Sequence, residues 1–215
     1  MIASQLKLKL KKIQGNVSED IAIRLHRSIS WLNCAEQSKG NGDIQFISLW
    51  ISFNACYAIN VSKEELLSEK ENFREFIQKL VNYDVEKRFY QLLWNKFSGT
   101  IRVLIENKYV FKPFWDYQRG ESINWKLLHE KSIADSLKYL SNQKVTNLLE
   151  QVLDRLYTLR NQLIHGGATY KSKVNREQVK QGCNMLQLLI PIIIDILMEN
   201  AQEDWGEIYY PVINE

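Results

Sequence analysis

The chain's 215 residues suit one domain, and 45% hydrophobic with 25% charged side chains supplies material for a sizeable core. A net charge of +3 permits nucleic-acid binding without demanding it. The 3 cysteines, Cys34, Cys56 and Cys183, are odd in number and show no CxxC or Cys/His spacing. That argues against a disulfide framework or a zinc site and for buried thiols in a reducing compartment. Only 9 glycines and 3 prolines imply few turns and long regular elements.

Residues 1–17 read as an N-terminal arm. Leu6, Leu8 and Leu10 alternate with Lys7, Lys9 and Lys11, and period two predicts an extended segment with one apolar edge, a short helix being the alternative. The lysines interrupt any apolar core, so the segment is not a signal peptide. Ser18, followed by Glu19 and Asp20, predicts an N-cap for a first helix carrying Ile21, Leu25, Ile29 and Leu32, ending near Gln37 at a Gly-Asn-Gly breaker. Asp43 starts a second helix with almost no polar face, expected at the centre of the fold, and Asn54 inside it must find hydrogen-bond partners. The S-x-x-E box at Ser62–Glu65 predicts a third helix through Phe73, Phe76, Ile77 and Leu80. A fourth runs from Asp84 through Phe89, Leu93, Phe97, Leu104 and Ile105, with Gly99 able to bend or split it.

Residues 110–120 hold a proline, aromatics and charges without helical period and predict a surface loop. Its aromatics, with Lys112 and Arg119, could stack bases or simply bury themselves. A fifth helix spans about 122–140. The sixth carries the cleanest stripe, Val145, Leu148, Leu149, Val152, Leu153, Leu156, Leu159 and Leu163, and stops at Gly166-Gly167. The last helix follows Asn175 and is apolar nearly all round from Met185, with a kink expected at Pro191. The aromatic tail, 203–215, is expected to fold back on the bundle. The most apolar runs, 44–61 and 185–198, are broken by Gln45, Ser48, Ser52 and Asn54 and by Gln187, Pro191 and Asp195. They predict buried helices rather than membrane spans, and a cytoplasmic protein without a membrane partner. The expectation is an all-α chain, 1–215 forming a single bundle of about seven helices.

The chemistry concentrates at the end of the sixth helix. Arg160, Asn161 and His165 lie within six residues of one another, and two glycines then let the backbone leave the helix and a ligand approach. Asn161, one turn before His165, can orient the imidazole. Arg160 lies about 140° from His165 on an ideal helix. The two converge only if the terminus unwinds, the arginine folds around, or a second subunit brings its own set. A guanidinium binds phosphate bidentately and stabilises developing negative charge, and an imidazole moves protons near neutral pH. The other reading is a surface ion pair for Arg160 and a helix-end cation at His165. Lys171, Lys173, Arg176 and Lys180 follow and could hold RNA backbone, or form a solvated face.

Leu159-Arg160-Asn161-Gln162-Leu163-Ile164-His165-Gly166 resembles the R-x4-6-H signature of the HEPN superfamily of helical nucleases. The run Leu49-Trp50-Ile51-Ser52-Phe53-Asn54-Ala55-Cys56-Tyr57 is similar to a stretch in bacterial HEPN-domain proteins. The resemblance touches residues 31–60 and 145–167. It implies a HEPN-like bundle, a homodimer whose signature helices face each other, and metal-independent RNA cleavage by 2′-hydroxyl attack without a cofactor, in defence or stress. It further implies that Arg160 holds the scissile phosphate, His165 acts as general acid/base and Asn161 orients it. In the two-gene toxin–antitoxin branch, a partner nucleotidyltransferase serves as antitoxin by modifying a tyrosine two residues after the histidine. That position here is Gly167, and Tyr170 stands at a different spacing. The alternatives are a non-catalytic HEPN module that binds RNA, nucleotide or a protein partner, and a helical oligomerisation protein.

Overall fold

The computed structural model describes residues 2–58 and 69–213. Among them the chain is all-α, with no β-strand element. The capping box at Ser62–Glu65 lies outside the described residues.

The N-terminal arm is a helix, α1 (Ala3–Ile13), not an extended strand. Ala3, Leu6 and Leu10 fall on one helical face and are buried, while Leu8 is 61% exposed. The Leu-Lys alternation contains an i, i+4 leucine pair, and burial of that pair selects the helix over the period-two reading. Helix α2 (Glu19–Gln37) opens as expected, with Ser18 Oγ accepting the Ile21 N–H at 3.4 Å. Helix α3 (Gly42–Tyr57) opens on Asn41, whose side chain accepts from Ile44.

Helices α2 and α3 approach closely because small polar residues face each other. Ser28 Oγ donates to the Ser52 carbonyl at 2.9 Å, and Ser52 Oγ returns a bond to the Ser28 carbonyl at 2.7 Å. Both serines are buried, and each hydroxyl is satisfied by the facing backbone. One turn away, the buried Arg24 guanidinium donates to the carbonyls of Cys56 and Gly206, each at 2.8 Å. It thereby ties the end of α3 and the C-terminal tail to α2.

Helix α4 (Glu69–Tyr83) buries Ile77 and Leu80. Helix α5 (Arg88–Lys96) passes through a π-helical stretch, Phe97–Ile101, into α6 (Arg102–Glu106). Gly99 sits in that stretch, so the fourth expected helix is split where its glycine falls. The aromatic segment is also helical, α7 (Lys112–Gln118), correcting the loop expected there. Pro113 occupies its first turn, and buried Asp116 collects Lys112 at 2.7 Å and Arg119. Seven residues are too few to display a hydrophobic period, so the sequence carries no signal for this turn.

Helices α8 (Trp125–Ser141), α9 (Val145–Ile164) and α10 (Arg176–Glu199) complete the bundle. Between α8 and α9, Ser132 Oγ accepts from Gln151 at 2.6 Å and from Arg155 at 2.8 Å. Burial pushes Arg155 down to about 10, and its guanidinium stacks 4.3 Å from the Phe111 ring centre.

Helix α3 is the centre, packed most extensively on α2 and α10. Helix α10 is continuous through Pro191. By length and composition α10 could cross a membrane, yet 72% of its most apolar window is buried inside the bundle. Its far end carries the charge cluster of the fold. Arg88 reaches Asp84 at 3.1 Å, Asp195 at 3.0 Å and Glu199 at 2.6 Å, and Lys9 joins Asp195 and Glu199 from α1. The tail packs back: Trp205 is buried against Phe76 and Tyr83, and its Nε1–H donates to the Asn200 carbonyl at 2.8 Å.

Gly182 sets the separation of α10 from α3 and α9. A Cβ there would stand 2.6 Å from Phe46 Cε2 and 3.1 Å from Leu159 Cδ2. Gly182→Ala should therefore lose about 1–3 kcal/mol through overpacking. Thermal unfolding checks this, with a melting temperature several degrees lower than wild type. Gly15→Ala, whose added carbon meets nothing within 4 Å, should leave it unchanged.

Candidate functional site

Helix α9 buries Leu148, Leu149, Val152, Leu153, Leu156 and Leu159, which leaves its C-terminal turn at the surface. Its end is a complete Schellman cap. His165 is the C-cap, Gly166 adopts φ +72, and Gly167 N–H donates to the Gln162 carbonyl at 2.7 Å. Gly166 N–H reaches the Leu163 carbonyl at 3.4 Å, and His165 N–H reaches the Asn161 carbonyl at 3.0 Å. The imidazole is exposed and takes no carboxylate partner among the described residues.

Arg160 and His165 do not converge within one chain. The helix stays regular through Ile164, so the terminus does not unwind to bring them together. The Arg160 side chain turns back along the helix instead. Its guanidinium carbon lies 5.7 Å from the Tyr157 ring centre, Nη1 donates to Asn161 Oδ1 at 2.9 Å, and Nε is buried without a partner among the described residues. The amide carbonyl of Asn161 is thus engaged by Arg160, not by His165.

The loop from Gly166 to Asn175 is held at both ends. Asn175 Nδ2 donates to Gln162 Oε1 at 3.0 Å, and Asn41 Nδ2 donates to Tyr170 Oη at 2.6 Å. Its main anchor is Asp43, in the first turn of α3 and only 5% exposed. Asp43 Oδ2 accepts the Lys171 N–H at 2.9 Å and Oδ1 accepts Arg176 Nη2 at 2.7 Å. Burial alone would raise the Asp43 carboxyl; the Arg176 and Lys171 hydrogen bonds and the charges beside them outweigh it and hold the group below its usual value. Lys171 is fixed at φ 55 and Asn175 at φ 62, both left-handed.

Of the four basic residues expected to meet a phosphate, three come together. Lys171, Arg176 and Lys180 line a groove of about 390 Å³ with Gly40, Asn41, Gly42, Gln45 and Asn184. Lys173 does not line it. Sequence reasoning did not connect Asp43, Gln45 or Asn184 to this region. Asp43 carried only a helix-start signal, and nothing in the chain pairs it with a cation 133 residues away. Among the described residues no group of His, Cys, Asp and Glu is placed to hold a metal ion.

Asp43→Ala should cost about 2 kcal/mol through two lost charge-assisted bonds. Because the carboxyl is held low when folded, its contribution is present above the unfolded value of about 4 and is lost as pH falls through the lower folded value. Denaturant titrations should show wild type and Asp43→Ala converging in stability below about pH 4. A gap that persists unchanged into strong acid contradicts the assignment.

Comparison with protein-family models, with curated proteins and with solved structures gives no match, so the site stands on its own geometry.

Proposed function

We propose that this chain is a HEPN-type endoribonuclease that acts as a homodimer in the cytoplasm, in a defence or stress role, and cleaves RNA without a metal. The observation that carries the reading is the open end of α9. It presents an exposed histidine and an arginine within two turns, and the loop that follows leads to a groove lined by three cations. In the proposed reaction a neutral imidazole takes the proton of a ribose 2′-hydroxyl, and the oxygen attacks the adjacent phosphorus. Arg160 offers two N–H groups to the non-bridging oxygens as charge builds on them. The 5′ oxygen departs with a proton from an imidazolium, leaving a 2′,3′-cyclic phosphate and a 5′-hydroxyl. Since Arg160 and His165 diverge on one regular helix, the complete set needs two α9 ends facing each other.

A second reading has its own support. Arg160 is half-buried, stacked on Tyr157 and bonded to Asn161, which suits a structural arginine in a non-catalytic module that binds RNA, nucleotide or a protein partner. Gly167 stands where the toxin–antitoxin branch carries its modified tyrosine, so a nucleotidyltransferase antitoxin is the less supported partner.

Incubation with RNA in EDTA separates the two readings. Wild type should release fragments with 2′,3′-cyclic phosphate ends. His165→Ala and Arg160→Ala should each lose at least about 100-fold in rate, the scale of general acid–base and charge stabilisation. Equal cleavage rates in the variants contradict the roles given to Arg160 and His165, and binding without cleavage supports the non-catalytic module.

A further inference from the structure

We propose that the groove between the Gly40–Gly42 turn and the first turns of α10 is a subsite for backbone phosphates of single-stranded RNA. The proposal rests on the RNA-directed reading of the α9 end and extends it to a second place on the surface.

Three cations line the groove, and among the described residues no carboxylate does. Asp43 lies behind it with both oxygens occupied, by the Lys171 N–H and by Arg176. It fixes the two residues without facing the cavity. Neither the Lys171 nor the Lys180 ammonium pairs with a carboxylate within 4 Å among the described residues, so both are open to an anion. Lys171 is held at φ 55, in the left-handed region that a non-glycine residue adopts only at a cost. The Asp43 bond to its N–H keeps it there, and the same bond sets where its side chain leaves the loop.

The floor of the groove suits an anion as well. Cys183 lies there beside Val179, and burial with the nearby Asp43 charge pushes its thiol up to about 12. It therefore carries no negative charge against a phosphate. Gly42 brings the turn close to α10, since a Cβ there would meet Val179 Cγ1 at 3.2 Å. The amide of Asn184 borders the cations and offers hydrogen bonds to a sugar or base edge, while the Gln45 amide donates to the Ala35 carbonyl at 3.4 Å. The Gly166–Asn175 loop links this groove to His165, braced by the Asn175–Gln162 and Asn41–Tyr170 bonds. A strand bound at the α9 end can thus continue along the loop into the groove.

The same cations could take the phosphomonoester of a free nucleotide, and the test separates the two sources. Fluorescence anisotropy with a labelled single-stranded RNA oligomer is run in the His165→Ala background, which holds the substrate intact. Adding Lys171→Ala and Lys180→Ala should weaken binding about tenfold and lower the slope of log affinity against log salt by about 1.4, the counterion release of two phosphates on a single strand. Lys173→Ala should change affinity less than about twofold, as a cation outside the groove. Thermal unfolding of each variant confirms the fold. Unchanged affinity in the double variant, no RNA binding in the parent, or displacement of the oligomer by equimolar AMP overturns the proposal. Groove-dependent binding by a wild type that cleaves nothing leaves the subsite standing and removes the nuclease. Cleavage by wild type with groove-independent binding does the reverse.

Discussion

The Asp43 carboxylate joins the start of α3 to a loop residue 128 positions later and to the start of α10, 133 positions later. The basic loop and the start of α10 at this end of the bundle are fixed by that junction. It closes the loop that leaves His165, holds Lys171 in a left-handed conformation and aims Arg176. A buried carboxylate is tolerable there because both oxygens accept charge-assisted or backbone hydrogen bonds. The basic surface is consequently a shaped groove rather than a flexible run of lysines.

The junction is only as fixed as the helices that carry it. Helix α3 is clasped to α2 by the reciprocal Ser28–Ser52 bonds and to α10 by the absence of a side chain at Gly182. At the opposite end of α10, Arg88 gathers Asp84, Asp195 and Glu199. Burial alone would raise the Glu199 carboxyl, but Arg88 and Lys9 together hold it below its usual value. One helix is thus anchored by packing in the middle and by ionic contacts at both ends, which gives the loop before it a rigid base.

The helices were legible in the chain because burial repeats at helical spacing. The Ser18 cap, the end of α2 at Gln37 and the stop at Gly166 all follow from local residue chemistry. Where local signals compete or run short, the sequence is silent. The Leu-Lys alternation of α1 has a helical face only once a core exists to bury Leu6 and Leu10. The turn of α7 depends on Asp116 collecting Lys112 and Arg119, which no periodicity displays. At the site, Arg160, Asn161 and His165 were visible as a cluster, but their mutual geometry was not. A side-chain rotamer decides that Arg160 turns to Asn161 and Tyr157. Lys171, Arg176 and Lys180 were visible as charge, while the Asp43 contact that fixes Lys171 and Arg176 is long-range and carries no local signature.

Under the proposed nuclease reading, the divergence of Arg160 and His165 along one regular helix requires a site built from two chains. A site assembled in trans takes its arginine from one protomer and its histidine from the other. Mixing Arg160→Ala with His165→Ala protomers, with exchange of subunits, tests this directly by the rate of RNA cleavage. A trans site predicts recovery to about a quarter of the wild-type rate, because half the dimers are mixed and each holds one intact site of two. A mixture no more active than either variant alone contradicts it.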